Sequence, residues 1–331
     1  MMRTHACTRS LDLARVASTV LALLFVVSCI PSSQNPVPGT PDAAGDGSVP
    51  TGDGGAPLAL NVAWNHGSAD CNASSDPPLQ IFRFDADTYI LRQNKCIHYE
   101  APFLYLLFGS DRVLLEDTGA TSSAASFPVR DTVQSIIAGW ASEHGKSAPA
   151  LIVTHSHGHG DHTAGDGQFT GQPGTTVVPA TVPALQSFFA IASWPEQITS
   201  YDLGGRILDI LAIPGHQDAH IAIHDRKTGI LLTGDTLYPG RLYVRDFPAY
   251  RASIARLVDF TATRPVRYVL GTHIEMTRSK GVDYPVGTTF QPDEHPLELT
   301  RDHLVELDSA LRAMSTPVRQ IHDSFIIDPV Q

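Results

Sequence analysis

Four histidines, His155, His157, His159 and His162, and one carboxylate, Asp161, fall within the nine residues 154–162. Imidazole and carboxylate together suit a first-row divalent cation, zinc first, with iron or manganese as alternatives. Three more residues of the same chemistry lie downstream: His216 after Pro214-Gly215, Asp235 after Thr233-Gly234, and His273 after Gly271-Thr272. That is more donors than one tetrahedral ion needs. Two ions close together need a carboxylate between them to damp their repulsion. A site that leaves a coordination position open is catalytic, whereas a closed shell is structural.

Each of these residues follows an apolar run. Residues 150–153 read as a buried strand ahead of the histidine stretch, and 206–213, 229–232 and 266–270 precede the three later residues. Strand ends are where α/β sheets gather their chemistry. Upstream, 80–84, 88–91, 103–108 and 112–116 read as a meander running into Asp117-Thr118-Gly119. Residues 131–144 carry Val133, Ile136, Ile137 and Trp140 at helical spacing, with Asp131 or Thr132 as N-cap and Gly145 as the stop. Helices over 163–169 and 182–192 bracket a strand at 176–178. In the second half, 220–224 is a strand and 248–263 a helix. A terminal helix over 297–314 has Leu299, Leu304, Leu307 and Leu311 as its apolar stripe. Both halves run strands, helix, strand, which alone gives a mixed α/β class.

His157, His159, Asp161 and His162 form the pattern HxHxDH, and Asp161-His162 fixes its frame. With Asp117, His216, Asp235 and His273 in their order, the chain resembles the metallo-β-lactamase-fold hydrolases over roughly residues 79–275. The resemblance implies an αββα four-layer sandwich. It implies one metal held by His157, His159 and His216, a second by Asp161, His162 and His273, and Asp235 bridging both. The implied reaction is attack by a metal-bridging hydroxide on a small ester, thioester, lactone or amide, with Asp161 and Asp235 at the reacting centre. Asp117 is implied to orient a metal-binding histidine from outside the ligand set. His155 is surplus to the ligands and is expected to sit behind them or face outward.

Asp235 distinguishes branches of this superfamily. True β-lactamases of the fold generally lack the bridging aspartate, so the chain resembles the glyoxalase II, lactonase and arylsulfatase branches more closely. The terminal helix carries Asp302, Glu306 and Asp308 rather than the basic groups associated with glutathione binding. A β-lactamase, a mononuclear iron persulfide dioxygenase and a non-enzymatic, metal-stabilised surface binding protein remain as alternatives. Tyr238, Arg241, Tyr243 and Arg245 either line the mouth of the site or pack on the terminal helix. Glu275 is placed to orient the loop after His273, and Asp293, Glu294 and His295 form a lid or plain surface.

The chain has 331 residues, and 42% of them are hydrophobic, enough for a sizeable core. Its net charge of −11 argues against nucleic acid as a partner and leaves a small molecule as the expected one. Residues 1–28 read as a signal segment, with Arg3, Arg9 and Arg15 ahead of an apolar run that is short for a membrane span. Val26-Val27-Ser28-Cys29 resembles a bacterial lipobox, which implies cleavage before Cys29, lipid on its sulfur and residence in the cell envelope. Residues 29–57 have the Pro, Gly, Ser and Asp composition of a disordered tether, leaving 58–331 as the catalytic domain. Cys71 and Cys96 remain as a pair. In an oxidising compartment a disulfide is expected, with two buried thiols as the alternative.

Overall fold

The computed structural model describes residues 60–330. The signal segment, Cys29 and the tether lie outside the described residues. The first sheet is built from β1 (Leu79–Asp85), β2 (Thr88–Gln93), β3 (Phe103–Phe108), β4 (Arg112–Glu116), β5 (Ala150–Thr154) and β6 (Thr175–Val177), in that order. The meander β1 to β4 is antiparallel. The helix α1 (Val129–Glu143) then carries the chain over to β5, which pairs parallel with β4. That pairing sets Glu116 opposite Thr154, so Asp117 and the histidine stretch leave the sheet side by side. The stretch ends in a single turn of helix, α2 (Gly160–Thr163), and α3 (Val182–Phe189) follows β6.

The second sheet contains β7 (Thr199–Asp202), β8 (Ile207–Ala212), β9 (Ile221–Asp225) and β10 (Ile230–Gly234), consecutive and antiparallel. After β11 (Arg241–Val244), the helix α4 (Phe247–Thr261) leads to β12 (Tyr268–Gly271), parallel to β10. The two-residue strand β13 (Glu298–Leu299) borders it, and α5 (Arg301–Ala313) follows. A third, small sheet joins β11 to β15 (Ile326–Pro329) and β14 (Gln320–Ile321).

Residue alternation explains the layering. Along β3 every side chain is buried: Phe103, Tyr105 and Leu107 face the second sheet, while Leu104, Leu106 and Phe108 pack on the α1 side. The strands β8, β9 and β10 divide likewise, with Ile210, Ile223 and Leu232 between the sheets and Leu211, Ala222 and Leu231 under α4 and α5. Three apolar layers between four structural ones make an αββα sandwich. At the site end, Tyr105 Oη donates to Gly271 O at 2.5 Å and Phe103 N to Thr272 O at 2.8 Å. At the other end the buried Arg206 guanidinium bonds Asp225 and the carbonyls of Asp87 and Phe108.

Several boundaries differ from expectation. The α1 N-cap is Pro128, not Asp131 or Thr132. A proline suits a helix start because it has no N–H to satisfy. Leu299 belongs to β13, not to the terminal helix, which begins after Thr300, where Thr300 N donates to His303 Nδ1 at 3.1 Å. Cys71 and Cys96 are joined as a disulfide.

Candidate metal centre

The site gathers at the ends of β4, β5, β10 and β12 and on the turn after β8. His157 and His159 lie on the loop leaving β5, and Asp161 and His162 on α2. Two glycines let the later residues enter. Gly215, at φ +137°, brings the chain so close to α4 that a Cβ would lie 2.3 Å from Tyr250 Cα. Gly234, at φ +49°, leaves β10 where a Cβ would lie 2.5 Å from His220 Nε2. The next residues are His216 and Asp235.

Two groups of side chains result. His157, His159, His216 and Asp235 form one; Asp161, His162, Asp235 and His273 form the other. Within each group the converging donor atoms all lie within 4.8 Å of one another. The Asp235 carboxylate is divided between them. Its Oδ2 lies 3.5 Å from His216 Nε2 and 3.7 Å from His157 Nε2. Its Oδ1 lies 3.3 Å from His273 Nε2 and 3.6 Å from His162 Nε2. Asp161 Oδ2 approaches His162 Nε2 at 3.0 Å and His273 Nε2 at 3.2 Å. His162 Nε2 makes no hydrogen bond among the described residues although it is fully buried. A buried nitrogen beside a carboxylate, without hydrogen-bond geometry, fits a shared cation. The donor set suits divalent ions.

Three of the rings are fixed from behind. Asp117 Oδ2 accepts from His162 Nδ1 at 2.8 Å, and its Oδ1 accepts Ser156 N at 2.8 Å. Its backbone is left-handed, with φ +68°, a conformation aspartate tolerates better than most residues. Tyr243 O accepts from His216 Nδ1 at 2.9 Å, and Glu100 O from His273 Nδ1 at 3.0 Å. His155 joins neither group. It is buried beside the loop with Nε2 2.9 Å from Asp166 Oδ1, which also accepts Thr118 Oγ1 at 2.8 Å. It does not face outward. His220, passed over in the sequence as part of a strand, stacks on His157 at 4.6 Å between centroids. Its signal was the spacing His216-x-x-x-His220 after the Pro-Gly turn.

The electrostatics of the two groups differ. Burial and neighbouring histidines push His157 well below the ordinary imidazole value, and His159 and His216 are also lowered, burial first among the causes. Burial opposes charge on His162 and His273 too, but the surrounding carboxylates prevail. His162 is held well above its ordinary value by Asp117, Asp161 and Asp235, and His273 is raised to about 9, chiefly by Asp235. Asp161 and Asp235 are both depressed: burial works against their charge, and His162 and His273 more than offset it.

The segment 238–245 is mostly framework rather than a mouth-lining loop. Tyr238 is buried and donates to Arg241 O at 2.5 Å. Arg241 starts β11 and is held by Glu275 and Asp283, at 2.7 and 2.6 Å. Glu275 thus pins β11 through Arg241, whose backbone N also donates to it at 2.7 Å. The exposed Arg245 is close enough to the first group to lower the His159 and His216 pKa values. Glu294 is neither lid nor plain surface, because it forms a buried two-pronged pair with Arg92 at 2.5 and 2.6 Å.

A family model described as the metallo-beta-lactamase superfamily matches residues 101–313, and the chain belongs to that superfamily. Among curated relatives, a hydroxyacylglutathione hydrolase of Chromohalobacter salexigens is 28% identical over 152 residues, covering 45% of this chain and 52% of the relative. Another, from Methylococcus capsulatus, is 28% identical over 148 residues, covering 42% and 52%. An acyl-coenzyme A thioesterase of Gallus gallus is 33% identical over 78 residues, 22% of this chain and 28% of the relative. The chain thus spans about half the length, or less, of these relatives. Among solved structures, a metallo-beta-lactamase from Pontibacter korlensis aligns with TM-score 0.48 at 16% identity, covering 71% of this chain and all of that one. A metallo-beta-lactamase from Pseudomonas aeruginosa, solved in a mono-zinc form, aligns with TM-score 0.47 at 14% identity, covering 72% and 96%.

Proposed function

We propose that the chain is a two-ion hydrolase, zinc-loaded, that cleaves a small acyl compound outside the cytoplasm. The observation that carries this reading is the division of the Asp235 carboxylate, one oxygen toward each triad. His157, His159 and His216 would hold one ion, and Asp161, His162 and His273 the other. When bound, such ions supply Lewis acidity, lowering the pKa of water and polarising a carbonyl oxygen. The protein's part is orientation. Asp117 Oδ2, Tyr243 O and Glu100 O accept the Nδ1 protons of His162, His216 and His273, which leaves each Nε2 facing inward. Arg245, exposed beside the first triad, offers a partner for an anionic tail on the substrate.

Thioesters are the favoured substrates among esters, lactones and amides. Acylglutathione and acyl-coenzyme A, in the names of the relatives, are both acyl thioesters. The Cys71–Cys96 disulfide supports an oxidising compartment. The Val26-Val27-Ser28-Cys29 segment supports lipid attachment at Cys29 in the cell envelope. The test is turnover of thioester, ester, lactone and β-lactam substrates by the zinc-loaded chain and by Asp161→Ala. Loss of all turnover in the variant, with the fold retained, is expected. Unchanged turnover would sink the assignment.

A further inference from the structure

The connector between β2 and β3, residues 94–102, reaches the site although none of its side chains belongs to either triad. Its contribution is the Glu100 carbonyl on His273 Nδ1, 173 positions away in sequence. A ring nitrogen that donates to a carbonyl carries the proton, so the other nitrogen is the one free to coordinate. That nitrogen, Nε2, faces Asp161 and Asp235. A loop carbonyl is a dependable brace only when the loop itself is fixed.

Here several contacts fix it. Cys96 is tied to Cys71. Asn94 Oδ1 accepts Cys96 N at 2.8 Å, while Asn94 Nδ2 donates to Pro77 O at 3.1 Å. Ala101 is buried in a left-handed conformation, with its N on His98 O at 3.1 Å. Lys95 is buried, 2% exposed. Its Nζ donates to Tyr99 O at 2.9 Å, the carbonyl immediately before the one on His273. Burying an ammonium against one backbone acceptor costs stability. Burial, with Arg92 as a like-charged neighbour, lowers the Lys95 pKa to about 7. Lys95 therefore sets a shape at some cost to the fold.

We infer that Lys95 is a positioning residue for the second triad: it holds the Tyr99 carbonyl inside the disulfide-tied connector, and so aims the Glu100 carbonyl that fixes His273 toward the second ion. This rests on the two-ion reading above. The test is the stepwise affinity of the full-length chain for two zinc ions, by competition with a chromophoric chelator. Wild type, Lys95→Met and the double variant Cys71→Ser/Cys96→Ser are compared. Each change is then repeated on His216→Ala and His273→Ala backgrounds.

Lys95→Met is expected to weaken one of the two ions by about 10–100-fold, as loss of a ligand's supporting partner does elsewhere. The other ion should be unchanged, and the stripped variant should melt no lower than stripped wild type. The double cysteine variant should weaken the same ion. The Lys95→Met effect should persist on His216→Ala and vanish on His273→Ala. Two ions in wild type with unchanged affinities in both variants would overturn the inference alone. Equal weakening of both ions with a lower melting temperature would also overturn it, as a structural role. A wild-type chain that binds only one ion would overturn the two-ion reading and this inference with it.

Discussion

The two triads share Asp235 and differ in almost every other respect. The first is three imidazoles with lowered pKa values, one of them, His159, half-exposed. The second holds its own carboxylate, Asp161, and two histidines whose pKa values are raised. The surroundings of the first therefore favour neutral nitrogens, while the carboxylates of the second favour positive charge among them. Their supports differ as well. His216 leans on β11, a strand held by Arg241; His273 and His162 lean on a loop carbonyl and on Asp117. One carboxylate between two groups of unlike surroundings is an arrangement in which the two halves should fail separately.

The strongest exception is Asp235 itself. Asp235→Ala should remove both ions and all turnover together, read as metal content and thioester hydrolysis; retention of either ion would mean that the halves do not share it. Gly215→Ala should damage the first half through the fold. Its Cβ would strike α4 at a left-handed φ, for a loss on the order of 3 kcal/mol in urea unfolding. Asp117→Asn should weaken the second half the more, by about 10–100-fold in zinc affinity, because its oxygen takes the His162 proton directly and reaches His157 only through the Ser156 hydroxyl. Equal weakening of both ions would erase the distinction.

The smallest effect is a pH dependence from Lys95. Its folded pKa of about 7 lies below the ordinary 10.5. Between those values the unfolded chain binds a proton that the folded chain lacks, so this group's contribution to stability rises with pH through that window. In metal-stripped protein, the gain in urea midpoint from pH 7 to 10 should be smaller in Lys95→Met than in wild type. An identical gain would place Lys95 in contact with water.

The residues of the site were legible because their side chains do the work. HxHxDH is contiguous, and His216, Asp235 and His273 each follow an apolar strand. Of what supports them, Asp117 on His162 was legible and the backbone braces were not. Glu100 and Tyr243 contribute carbonyl oxygens, which every residue carries, so no residue type announces them. The strand β11 went unread because Tyr238, Arg241 and Tyr243 look like a polar, aromatic binding loop until Glu275, Asp283 and β15 are seen to hold them. Glu294 looked like part of a lid or plain surface because its partner, Arg92, is 202 positions away. The strand β7 is four residues, Thr199–Asp202, with no apolar run to mark it. Leu299 fits a helical stripe by spacing, yet its pairing with Val269 puts it on β13.

The most direct test is a count of ions per chain on the intact protein, for wild type and for His273→Ala. Two zinc ions in wild type and one in the variant, with hydrolysis lost, is the expected result. One iron per wild-type chain, with oxygen consumed on a persulfide substrate, would contradict it.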